Sequence, residues 1–60
     1  MKEHVVGKLF IGHHTNEVVK VIDMVWFNIM YVIVGKENYQ PYYMHYKKFL
    51  KLHSLYTNGV

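Results

Sequence analysis

Residues 18–34 run Val-Val-Lys-Val-Ile-Asp-Met-Val-Trp-Phe-Asn-Ile-Met-Tyr-Val-Ile-Val, and any fold must accommodate them. Nine of the seventeen are Val or Ile. Branching at Cβ restricts their rotamers in a helix and suits them to a pleated surface. The stretch reads as two strands, about 17–25 and 29–35, joined at Trp26-Phe27-Asn28. In the second strand Ile29, Tyr31 and Ile33 share one face, and Met30, Val32 and Val34 share the other. Both faces are apolar, so this strand is expected to be covered on both sides. A helix is the rival, because Val18, Ile22, Val25, Ile29 and Ile33 also recur at spacings of three and four.

A membrane span does not fit. Lys20 and Asp23 would each cost about 2.5–3.5 kcal/mol at mid-bilayer. The clean run 24–34 falls short of the roughly 20 residues a span requires.

The remaining segments are shorter. Residues 4–14 read as a first strand, with Val6, Lys8 and Phe10 on one face and Val5, Leu9 and Ile11 on the other. Gly7 and Gly12 suit a bulge or a sharp bend. Thr15-Asn16 reads as a turn. Trp26-Phe27 at a hairpin tip is either a lid on the core or an exposed knob. The lid is favoured, since large aromatics are mostly buried. Gly35-Lys36-Glu37-Asn38 reads as the next turn. Residues 39–44 read as an edge strand, because Pro41 cannot donate to a ladder. Residues 45–53 suit a short helix: Tyr46, Phe49, Leu50 and His53 form one stripe and Lys47, Lys48 and Lys51 another. That helix shows no standard capping residue. Leu55-Tyr56 adds a last short strand, and 58–60 are expected to fray.

Sixty residues allow one small domain with a marginal core. There is no cysteine, so disulfides, thiolate zinc sites and thiol catalysis are excluded. Chains of this size usually lean on a metal or a partner. With 52% hydrophobic and 17% aromatic residues, apolar surface should remain uncovered. A homodimer through Met30, Val32 and Val34 is the expected outcome. No apolar run follows the basic start, so a signal peptide is not read and a cytoplasmic location is expected.

The net charge is +3, and all seven basic residues are lysine. Residues 1–37 balance; beyond Glu37 there is no acidic side chain. Lys47, Lys48 and Lys51 are there interleaved with Tyr39, Tyr42, Tyr43, Tyr46 and Tyr56. Such a mixture suits either a protein interface or an unpaired nucleic-acid strand. Without arginine, bidentate reading of guanine or phosphate is missing.

Five histidines invite a metal hypothesis, but their spacing does not support one. His13 and His14 would point apart on a strand, and His45 and His53 lie about two helical turns apart. Ser54 adjoins His53, a placement that rarely makes a working nucleophile–base pair. No glycine-rich phosphate loop or paired carboxylates occur. The chain reads as a non-enzyme with no metal and no cofactor.

The order is strand, strand, strand, extended edge, helical turn, short strand. It resembles the small SH3-like barrels of phage and mobile-element proteins. The expected class is mainly β: a small SH3-like antiparallel barrel or meander with one short C-terminal helix. The resemblance implies a protein-binding module, for instance a phage-encoded inhibitor or adaptor of a larger host protein. Trp26, Phe27, Tyr42, Tyr43, Lys47, Lys48 and Lys51 are its candidate contact residues. A nucleic-acid-binding barrel using the Tyr/Lys segment is the first alternative. A self-assembling structural protein is the second.

Overall fold

The computed structural model describes residues 2–57, so the expected fraying of 58–60 lies outside the described residues. The fold is mainly β, as the side-chain types of 18–34 imply. A single helical turn α1 (Lys2–Val5) precedes strand β1 (Leu9–Gly12). Strands β2 (Val18–Val25) and β3 (Asn28–Ile33) make the central hairpin, followed by β4 (Tyr42–His45). Helix α2 (Tyr46–Leu52) leads directly into β5 (His53–Leu55). All pairings are antiparallel, in the order β4-β3-β2-β1-β5. Four strands form a meander, and the fifth returns beside the first. The sheet does not close: β4 and β5 remain its two edges. A closed barrel is therefore corrected to an open sheet.

The first strand is shorter than the 4–14 span expected. Gly7 takes φ +86°, a left-handed conformation open to glycine, and turns the chain sharply. It donates to the Val21 carbonyl at 2.7 Å, and Val21 donates back to Lys8 at 3.1 Å. The turn lets Val5 and Phe10, assigned to opposite faces by strict alternation, enter one core.

The central hairpin solves a pattern problem. Strict alternation from Val19 and Val21 would aim Asp23 into the core. Instead the register shifts between Val21↔Tyr31 and Asp23↔Met30, leaving Ile22 as the extra residue of a β-bulge. Val21 and Met24, three apart, then both face inward and are buried. Asp23 stays half-buried and accepts from the Met24 N–H at 2.7 Å.

The core sits between this face and α2. Val5, Phe10, Val19, Val21, Met24, Ile29, Tyr31 and Phe49 form it. Phe49 is fully buried. Its ring meets Phe10 edge-on at 5.1 Å and Tyr31 at 5.2 Å. Of the predicted helical stripe, Tyr46 and Phe49 face inward on α2, Leu50 is exposed, and His53 already belongs to β5, so the helix is shorter than the 45–53 expected. On the opposite sheet face Val32 is 8% exposed, Met30 is half-buried and Val34 is exposed. Lys20 stands directly across from Val32, and its methylene stem can lie over it. Of the three residues expected to meet a second copy, Val32 is thus already covered within the chain.

Candidate functional site

Two surface features stand out, one at each end of the central hairpin.

The first is the β2–β3 turn. Val25 pairs with Asn28, so only Trp26 and Phe27 connect the strands. Trp26 takes φ +58°. Tight hairpin turns demand a positive φ at the first central position, and glycine usually supplies it. For a bulky residue this conformation is an outlier, costing about 1–2 kcal/mol. Trp26 is 85% exposed and Phe27 60% exposed. The lid expectation is therefore overturned. The two-residue turn touches the start of α2 through Phe27, and the Trp26 side chain stays in solvent.

Phe27 is tied into a small aromatic array. Its ring stacks near His45 at 6.2 Å and tilts against Tyr46 at 6.1 Å, while His45 and Tyr46 stack at 5.1 Å. His45 caps α2: its Nδ1 accepts from the Lys47 N–H at 3.2 Å. Histidine is not a standard cap, which is why the sequence seemed to lack one. Phe27, His45, Tyr46 and Lys47 line a shallow depression of about 240 Å³ beside the exposed Trp26.

The other expected contact residues are divided by the fold. Lys47, Lys48 and Lys51 are exposed along α2, with Lys47 at the tip. Tyr43 is 62% exposed and pairs with Met30. Tyr42 pairs with Tyr31 and stacks on it at 5.6 Å, so it belongs to the inner face and not to the tip.

The second feature is a cleft of about 320 Å³ on that inner face. Its floor is Val19, Ile33 and Met44, and one wall is the Tyr31–Tyr42 pair. The β1–β2 turn supplies His13, His14, Thr15 and Glu17. Leu52 and His53 complete the lining, with the His53 ring edge-on to Tyr31 at 5.9 Å. Gly12 lets the turn approach closely: a Cβ there would lie 2.6 Å from Thr15 Oγ1. Asn16, at φ +58°, completes the turn in the conformation expected of Asn.

His53 is fixed in orientation. Its ring lies parallel to Phe49 at 4.1 Å, and its Nδ1–H donates to the Phe49 carbonyl at 3.0 Å. The neutral ring therefore keeps an acceptor lone pair on Nε2. Glu17 holds Lys36 at a long 3.9 Å, with both side chains substantially exposed. Burial pushes the Tyr31 hydroxyl above its ordinary pKa, with smaller contributions from Tyr42 and Glu17.

Ser54 does not pair with His53. It meets His13 Nε2 at 2.5 Å across the β1–β5 pairing. Among the described residues no cluster of three or more His, Asp or Glu is placed to hold a metal ion. Among them, too, no helix is long and apolar enough to cross a membrane. Comparison with protein families, with curated proteins and with solved structures found no match for this chain.

Proposed function

We propose that the chain is a non-enzymatic binding module that engages a larger protein through the aromatic tip at Trp26 and Phe27. The exposure of Trp26 on a left-handed turn carries this reading. A strained, solvated tryptophan contributes little to the fold, and backbone strain concentrates at positions kept for function. Tryptophan and tyrosine also dominate the energetics of protein interfaces. Phe27, next in sequence to Trp26, lines a depression with His45, Tyr46 and Lys47, a mixed apolar and polar surface of the kind interfaces use. The reading as a small SH3-like binding protein rests on the order of elements in the sequence, and the antiparallel five-stranded sheet with one short helical connection is compatible with it, although the sheet is open. An inhibitor or adaptor of phage origin is one form such a module takes.

The test is affinity capture from the native host lysate, with and without nuclease, by the wild-type chain and by Trp26→Ala. One stoichiometric protein, kept after nuclease and lost with the variant, is the expected result. Nuclease-sensitive recovery that depends on Lys47, Lys48 and Lys51 would establish the nucleic-acid reading instead. The unpaired edge of β4 favours a second copy of the chain as the other alternative. Sedimentation at micromolar concentration reports it, against a monomer of 7.2 kDa.

A further inference from the structure

The inner-face cleft is separate from the tip. It lies where β2 begins and β3 ends, and the two depressions have no lining residue in common. Eight residues of β2 separate the two ends, roughly 23 Å of extended chain.

We infer that this cleft is a binding site for a small aromatic amine. Its volume of about 320 Å³ is near the lower limit of ligand sites, which admits a single ring system with a short arm. Val19, Ile33 and Met44 give it apolar lining, and Tyr42, 46% exposed and backed by the buried Tyr31 ring, adds an aromatic surface. Among the polar groups that line the cleft, Glu17 brings a carboxylate, which accepts only, beside the Thr15, Tyr31 and Tyr42 hydroxyls, which donate or accept. His53 Nε2 is left with its lone pair because Nδ1–H is held by Phe49. Among the described residues, the ionic partner of the Glu17 carboxylate is the distant Lys36 ammonium at 3.9 Å. A ligand that brings both an aromatic ring and an N–H cation satisfies the cleft; a carboxylate or phosphate meets Glu17 with the wrong sign. In this site the ring lies over Val19 and Ile33 against the tyrosines, and the ammonium replaces Lys36 at Glu17. The Gly12–Thr15 approach and the Phe49–His53 bond hold two sides of the cleft in place without a ligand.

The probes are tryptamine, its uncharged counterpart 3-ethylindole, and indole-3-propionate, each titrated into labelled full-length protein and followed by amide NMR shifts. Tryptamine should shift the amides of residues 12–17, Tyr31, Tyr42 and His53. The neutral and acidic probes should bind about tenfold more weakly or worse, because each lacks the charge-assisted bond to Glu17. Glu17→Gln should weaken tryptamine by about tenfold. Lys36→Gln should strengthen it by removing the internal competitor, a gain that general loosening of the fold would not produce. Tyr42→Leu, on the exposed edge strand, should weaken it through loss of the ring face and serves if Glu17→Gln disturbs the turn. Trp26→Ala should leave it unchanged, so failure of the tip reading does not affect this one. Equal binding of all three probes, no shift with any of them, or an affinity indifferent to Glu17→Gln and Lys36→Gln would overturn the inference.

Discussion

The backbone N–H of Tyr46 donates to the carbonyl oxygen of Phe27 at 2.8 Å. This bond joins the first residue of α2 to the tip of the central hairpin. It holds the turn against the helix while the Trp26 side chain remains in solvent. The tip is thus positioned through backbone and Phe27, and Trp26 is left available for contact.

Trp26→Gly separates the two roles. Glycine accepts φ +58° without steric penalty, although it raises the entropy of the unfolded chain. The variant should match the wild type in stability or exceed it by up to about 1 kcal/mol. For a domain this small, that is a rise of about 4–8 °C in melting temperature per kcal/mol. Partner capture should be lost. A clear drop in melting temperature would show that the indole packs on the fold after all.

Gly12→Ala should cost about 1–3 kcal/mol, because its Cβ would lie 2.6 Å from Thr15 Oγ1. The next nearest atoms belong to His53 at 3.8 Å, an ordinary contact. Thr15→Ala removes the clashing oxygen, at the loss of its bond from the Glu17 N–H. The double variant should therefore be more stable than the sum of the two single changes implies. Denaturant melts of all four forms give the coupling. Simple additivity would mean the turn yields without strain.

Tyr31 sets an alkaline limit on stability. Burial first, then Tyr42 and Glu17, raise its pKa in the folded state. The unfolded tyrosine ionises near its ordinary value of about 10. The contribution of neutral Tyr31 is fully present below that value. It is lost as the pH rises from there through the folded pKa, since only the unfolded chain releases the proton. Spectroscopic titration at 295 nm should show one of the six tyrosines ionising later than the rest. Tyr31→Phe should remove both the late phase and the matching loss of stability. A wild-type titration with six equivalent tyrosines would contradict the burial argument.

Much of this architecture was legible in the residues. The density of Val and Ile in 18–34 correctly favours strands over the helical spacing that competes with it. Pro41 marks the edge segment, and Tyr46 and Phe49 mark the inward side of α2. The bulge at Ile22 was not read, although Asp23 in an otherwise apolar alternation is its signal. Trp26 lies in solvent against a general preference for burying tryptophan, because that preference says nothing about which side chain of a two-residue turn faces away from the fold. The cleft was beyond reach for another reason. Gly12 and His53, which both line it, lie far apart in sequence and come together through the β1–β5 pairing. Local spacing carries no trace of that contact.

Phe49 links the fold to the cleft, and its replacement should expose that link. Its side chain is fully buried against Phe10, Tyr31 and His53. Phe49→Ala would remove a ring from a core cluster of eight buried side chains, a loss of about 3–5 kcal/mol. Native stabilities are about 5–15 kcal/mol, and a sixty-residue chain is expected near or below the lower limit. Circular dichroism should therefore show Phe49→Ala largely unfolded at room temperature. Phe49→Leu retains apolar volume and should fold with reduced stability, yet it removes the parallel ring that supports His53 at 4.1 Å. The His53 Nδ1–H bond to the residue 49 carbonyl uses backbone and survives that change. The His53 ring should then gain rotational freedom while the sheet stays intact. In NMR this appears as broadened His53 ring signals beside unshifted β2 and β3 amides. Sharp His53 signals in Phe49→Leu would mean that the hydrogen bond alone orients the ring.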